Sequence, residues 1–250
     1  MAGHNKWSKV KHIKGAADAK RSKLFSKFSK EITIAARDGG GDPDLNPRLR
    51  SAVMSARKQS MPMDGIDRAI KKGTGELGGA AIEEILYEGY GPGGVAFLVE
   101  VATDNRNRSA ADMRTLFSKN GGNLGAVGSV AYLFDRKGEI RVPAAQLSDD
   151  AMLEAAMEAG AEDVSSDAEE HCVITSVESL FEVASVLAKT QVEMTSQKLV
   201  FLPRTTTQIT DAGIAAALLK LYEALDDYDD TQNVHANFDM ADDLMDSLGN

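Results

Sequence analysis

The 250-residue chain carries 28 Lys and Arg against 38 Asp and Glu, a net charge of −10, and 43% of its residues are hydrophobic. That is enough apolar material for two or three packed domains, while no window approaches the run of apolar residues that a membrane span requires, so no membrane partner is expected. The single cysteine, Cys172, excludes an internal disulfide framework and fits a reducing cytosol.

The charge is unevenly spread. Residues 1–80 hold 17 Lys/Arg and 8 Asp/Glu, net +9, whereas residues 81–250 hold 11 and 30, net −19. Nine cations lie in the first 30 positions, Lys6, Lys9, Lys11, Lys14, Lys20, Arg21, Lys23, Lys27 and Lys30, with only Asp18 opposing them. A basic head on an acidic body points to a polyanion as partner, nucleic acid ahead of membrane. The basic opening has no following apolar run and is not a secretory signal. It is rich in Lys rather than Arg and is interrupted by Gly15, Asp18 and Glu31, which argues against an organelle transit peptide.

In chain order, residues 16–37 read as an amphipathic helix with Leu24, Phe25, Phe28, Ile32, Ala35 and Ala36 on one side. Lys20, Lys23, Lys27, Lys30 and Arg37 gather on another face, with Ile34 the apolar exception among them. Such a row of cations suits a phosphate backbone, the alternative being a merely solvated charged face. Gly39-Gly40-Gly41-Asp42-Pro43 ends the helix, and Asn46-Pro47 starts the next as N-cap and first residue, running to about Gln59. A third short helix spans Pro62 to Gly73 and adds Arg68, Lys71 and Lys72 outside. The stretch 74–79 reads as an exit linker.

The pattern then changes. Residues 82–90 and 95–102 are strand-like, 107–119 helical, and 129–134 (SVAYLF) strand-like. A second unit follows, with strands at 138–142, 162–166, 171–175 and 192–202 and helices at 148–160 and 178–190. Then come a strand at 204–209, a helix at 211–226 and a last strand at 231–237. The first of these units lacks a second helix and a closing strand, which the tail can supply. The expected architecture is therefore α/β (α+β) with three domains. A basic helical domain occupies 1–77, a middle α/β sandwich is formed by 80–135 and 204–238, and an α/β sandwich at 137–203 is inserted in it. The acidic end from Asp239 is expected to fray.

No motif argues for an enzyme or a cofactor. Gly89-Tyr90-Gly91-Pro92-Gly93-Gly94 has the letters of a dinucleotide-binding loop, but a strand follows where a helix is needed, so a hairpin turn is expected. His4, His12, His171 and His235 are scattered and lack cysteines at ligand spacing, so no metal is expected. Cys172, inside a strand, reads as core, and Asp226-Asp227 and Asp229-Asp230 read as solvated charge. Arg106, Asn107 and Arg108 either grip phosphates or base edges, or belong to a helix entry capped by Asp104 or Asn105. Trp7 either stacks on a base or anchors the amino-terminal arm.

Several long motifs also carry a resemblance. AGHNKW, KGAADAKRSKLFSKFSKEI, GGGDPDLNPRLR, MPMDGIDRAIKKG, YEGYGPGG, TDNRNR, FSKNGGNLG, GSVAYLF and LEAAMEAGAEDV follow one another as in the YebC family, over essentially the whole chain. The resemblance implies a helical amino-terminal domain and two α/β domains, one inserted in the other. It implies a cytoplasmic, DNA-binding transcriptional regulator. The family also includes a mitochondrial activator of cytochrome oxidase translation and members linked to ribosomes paused on proline-rich stretches, which keeps ribosomal RNA and the ribosome open as partners. A protein-interaction scaffold is the remaining alternative. With no heptad seam on any helix, a monomer is expected.

Overall fold

A computed structural model of the chain describes residues 17–241 and 243–245. Helices α1 (Ala17–Gly39), α2 (Pro47–Lys58) and α3 (Met63–Gly73) come first. Then follow β1 (Glu83–Tyr90), β2 (Ala96–Thr103), α4 (Arg106–Lys119), β3 (Asn123–Leu124), β4 (Phe134–Pro143), α5 (Asp149–Glu158), β5 (Asp163–Ser166), β6 (Glu170–Thr175) and α6 (Leu180–Lys189). The chain closes with β7 (Ser196–Pro203), β8 (Thr207–Ile209), α7 (Ala212–Asp226), β9 (Thr231–Ala236) and β10 (Phe238–Met240). This mixture of helices and largely antiparallel sheets is of the expected α/β (α+β) class. No helix among the described residues is long and apolar enough to cross a membrane.

The chain divides into two compact units. The first takes the chain up to Ile34, Leu77–Asp135 and everything from Pro203 onward. Its sheet has the order β3-β1-β2-β9. β1 and β2 form an antiparallel hairpin from Glu83↔Thr103 to Tyr90↔Ala96, and β9 returns from the far end of the sequence to pair with β2. Alternate residues of β2, Phe97, Val99 and Val101, meet Met113 and Phe117 of α4 and Leu218, Leu221 and Leu225 of α7 in one core. Phe97 and Phe117 meet edge to face at 6.1 Å. On the opposite parity, Ala102 packs with Ile82 and Ile34.

The GYGPGG stretch makes the β1–β2 turn. Gly91 N–H donates to the carbonyl of Val95 at 2.8 Å, and Gly93 and Gly94 sit at φ +73° and +74°, where a side chain is strained. The expected strand at 129–134 is absent. Glu88, almost wholly buried, accepts the backbone N–H groups of Gly128 (2.6 Å), Val130 (2.8 Å) and Ala131 (2.9 Å). This pulls the segment into a turn and a short 3-10 helix at Ala131–Leu133, and the strand proper begins at Phe134 and absorbs 138–142. The strand expected at 192–202 starts later, at Ser196. The end of the chain is ordered further than expected, since β10 pairs in parallel with β8 and Met240 and Met245 are buried.

The second unit joins Ala35–Glu76 to Arg136–Leu202. Its sheet has the order β5-β6-β4-β7, with Ile140, Val142 and Val173 packed against Met152 and Ala156 of α5 and Leu180, Val183 and Leu187 of α6. On the other parity of β4, Arg141 bonds Glu139 at 2.8 Å and also pairs with Glu170. Burial opposes the ionised form of Glu139, but the Arg141 contact and nearby Lys198 outweigh it and bring its pKa down to about 2. Burial and the adjacent Glu139 push the Cys172 thiol up to about 12, so it is a core thiol and not a nucleophile at neutral pH.

Asn46 locks the turn between α1 and α2. Its side chain accepts from Leu49 N–H at 3.1 Å as an N-cap and donates to the carbonyls of Ala35 (2.7 Å) and Gly40 (2.8 Å). Pro47 at the first helical position needs no hydrogen-bond donor there. Because Asn46 is buried, Asn46→Ala strands three backbone groups at once and is expected to cost about 2–3 kcal/mol in urea unfolding. A loss below about 0.5 kcal/mol contradicts this assignment, since an ordinary surface substitution does as much.

Candidate nucleic-acid interface

Lys6, Lys9, Lys11, Lys14 and Trp7 lie outside the described residues. Lys20 falls in the first turns of α1, and Arg21 is exposed, with its guanidinium 5.7 Å from the Phe25 ring. The structure corrects the expectation for the other three lysines of this helix. Lys23, Lys27, Lys30 and Ile34 follow one another at i, i+4, i+7 and i+11, a single stripe on an α-helix. The stripe does not face open solvent. It lies on the turn between α7 and β9, whose acids the sequence reading took as solvated charge.

The contacts are specific. Lys23 Nζ bonds the carbonyl of Asp227 and lies 3.3 Å from its carboxylate, and Lys27 Nζ lies 2.9 Å from Asp226 Oδ1. Lys30 Nζ lies 2.6 Å from Asp230 Oδ1 and donates to the carbonyl of Asp229 at 2.8 Å. The physical reason is complementarity of charge: lysines recur about once per turn along one stripe of α1, and the acids cluster in one short segment opposite them.

Asp230 is the centre of this contact. Its second oxygen accepts from Thr103 Oγ1 at 2.8 Å and from Arg108 at 2.9 Å. Arg108 also bonds Asp104 at 3.0 Å, and its pKa is raised by these partners, Asp230 foremost. Asn105 is the N-cap of α4, accepting from Arg108 N–H at 3.1 Å. Of the Arg106-Asn107-Arg108 group, the structure therefore engages Arg108 in holding Asp230 and leaves Arg106 and Asn107 exposed. Of the two alternatives, the helix entry describes Asn105 as the cap, and Arg108 is the arginine paired with acids.

Arg68, Lys71 and Lys72 stand out in the sequence as outward charge but were not assigned to the site, and Arg50 and Arg57 were not singled out. Arg50 and Arg57 on α2, and Arg68, Lys71 and Lys72 on α3, are exposed and make no ion pair among the described residues. Arg50 and Arg57 are seven residues apart on one helix face, and Arg68, Lys71 and Lys72 share another. Burial of Leu49, Val53 and Ala56 of α2 and of Ile66 and Ala69 of α3 fixes the rotation of the two helices and leaves these cations exposed. A groove of about 360 Å³ runs between the helices, with Val53, Ile66 and Ile70 in its wall and Arg57 and Lys71 among its lining residues. The signal that separates the two sets was present. Ile34 continues the lysine stripe of α1 and marks a docked face, whereas Arg68, Lys71 and Lys72 share a face of α3 that carries no buried apolar residue. Among the described residues, no group of three or more His, Cys, Asp and Glu is placed to hold a metal ion.

The chain matches the model of the TACO1/YebC protein N-terminal domain over residues 5–76 and that of the TACO1/YebC second and third domain over residues 82–238. It is 54% identical to a "Probable transcriptional regulatory protein" of Akkermansia muciniphila, the match covering 100% of both chains. It is 55% identical to a protein of the same name from Treponema denticola, over 96% of this chain and 97% of that one. The crystal structure of a conserved hypothetical protein from Aquifex aeolicus superposes with a TM-score of 0.87 at 49% identity, over 93% of this chain and 96% of that one.

Asp230 also sets a pH dependence. Burial alone would raise its pKa, but the hydrogen bonds from Lys30, Arg108 and Thr103 outweigh this and hold the carboxyl below its ordinary value of 3.8. A depressed carboxyl stabilises the folded state above its unfolded pKa, and that contribution drains away as pH falls through the folded value. Between about pH 4 and pH 2 the urea midpoint is therefore expected to fall more steeply for the wild type than for Asp230→Asn. Equal slopes contradict the assignment.

Proposed function

The chain belongs to the TACO1/YebC family, and we propose that it is a non-enzymatic regulator of gene expression that binds nucleic acid through cations of its amino-terminal part. The observation that carries this reading is the exposed, unpaired set Arg50, Arg57, Arg68, Lys71 and Lys72 on α2 and α3, in a chain that is otherwise strongly acidic. Five guanidinium and ammonium groups held outward by buried apolar faces are pre-positioned for phosphate oxygens, with no intramolecular carboxylate to displace first. The cations at 6, 9, 11 and 14 extend the basic surface in sequence. The net −19 of residues 81–250 repels nucleic acid from the rest of the chain and so restricts where it docks. Full-length relatives named as probable transcriptional regulatory proteins support the regulatory role.

The same surface suits RNA, ribosomal RNA included, because contacts to phosphate and sugar fix position without reading sequence. On this reading the protein acts as a monomer in the cytoplasm. The acidic residues 81–250 orient it or meet protein partners.

The test is a binding titration of the intact protein against duplex DNA and against structured ribosomal RNA, each over a range of salt. Replacing Arg50, Arg57, Arg68, Lys71 and Lys72 together by Gln removes up to five phosphate contacts. The slope of log affinity against log salt is then expected to drop by up to about 4.5 for duplex DNA, and to drop for ribosomal RNA as well. An unchanged slope and affinity on both nucleic acids overturns the assignment of this surface. Retention on ribosomal RNA at salt that strips DNA identifies RNA as the target.

A further inference from the structure

We propose that the acidic turn Asp226–Asp230 is an intramolecular stand-in for a phosphate backbone, and that nucleic acid competes with it for Lys23, Lys27 and Lys30 of α1. The proposal rests on the nucleic-acid reading above and adds regulation to it: one part of the basic surface is open, and another is covered until a polyanion displaces the cover.

Three observations support competition over a purely fixed contact. The pairs are graded in exposure along the stripe. Asp227 opposite Lys23 has a side-chain exposure of 68%, Asp226 opposite Lys27 29%, and Asp230 opposite Lys30 9%. Exposed and half-exposed pairs of this kind contribute little net attraction and are screened by salt, so they yield to a ligand of higher charge density. The two ends of the stripe also differ in chemistry. Ile34 is buried against Ile82 and Ala102, and Asp230 is tied to Thr103 and Arg108 without help from α1. The Lys23–Lys27 end can therefore leave the turn while the Ile34 end stays anchored and Asp230 keeps two partners. Finally, Lys23 and Lys30 each take a backbone carbonyl as well as a carboxylate, so the turn presents several acceptor oxygens to the lysine row, as a run of phosphates does.

The pair Asp226→Asn and Asp227→Asn removes the two more exposed of the three carboxylates paired with the lysines and leaves Asp230 and its network intact. At about 50 mM salt, where screening is weak, the doubly substituted protein is expected to bind nucleic acid about 3- to 10-fold more tightly than the wild type. Placed on a Lys23→Gln, Lys27→Gln background, the same two substitutions are expected to give no gain, because the residues they uncover are no longer cationic. A gain that persists on that background reflects net charge alone and overturns the proposal, as does an unchanged affinity in the first comparison. On the wild-type protein, adding saturating duplex DNA or ribosomal RNA is expected to speed amide exchange in residues 226–230 by about tenfold, and exchange that stays the same or slows overturns it. Should wild type and variants alike fail to bind either nucleic acid, the broader functional reading falls as well. A wild type that binds through α2 and α3 while both comparisons stay flat removes the masking alone.

Discussion

The buried carboxylate of Asp230, which meets Lys30 of α1 across about 200 residues of chain, is the constraint on which the first unit depends. Lys23, Lys27 and Lys30 meet Asp227, Asp226 and Asp230, and Ile34 continues the line into the apolar contact with Ile82 and Ala102. Ile34 anchors one end of the stripe, and the Lys30–Asp230 pair sets the place of the acidic turn beside it. The turn that leads from α7 into β9 is fixed at Asp230, which in turn holds Thr103 at the end of β2 and Arg108 in the first turn of α4. One buried carboxylate thus ties together the amino-terminal helix, the central strand and the strand that closes the sheet.

A second carboxylate plays a similar part at the opposite end of β1. Glu88 gathers three backbone N–H groups from 128–131 and so satisfies donors that a glycine-containing turn leaves without strand partners. Burial opposes the charge on Glu88, and the three backbone donors reverse that, so its pKa lies below the ordinary value. Both acids show the same economy. A charge is tolerated inside the fold because several donors converge on it, and the convergence shapes the local chain.

Much of the helix placement was legible from local chemistry. Asn46-Pro47, Asn105 and Asp211 announce helix starts through a side chain that reaches three residues ahead, and all three do so in the structure. The glycines at 91–94 predict a turn because strands flank them on both sides. What was not legible depends on partners distant in sequence. SVAYLF alternates like a strand, and only the Glu88 carboxylate, some 40 residues earlier, makes it a turn. The acids at 226–230 look solvated when read alone, and the lysines at 23–30 look free when read alone. Ile34, an apolar residue in line with the lysines, was the one local hint that the face was covered. Arg50, Arg57, Arg68, Lys71 and Lys72 were passed over because their density in sequence is lower than that of the first 30 residues, although their helices leave them more open.

Photochemical cross-linking of the intact protein to bound nucleic acid, followed by peptide mapping, tests the central claim most directly. The account predicts cross-links concentrated in the peptides of residues 47–73 and in the amino-terminal segment, with few or none from 136 to 202. Cross-links centred on residues 81–250, or none in 47–73, would contradict it.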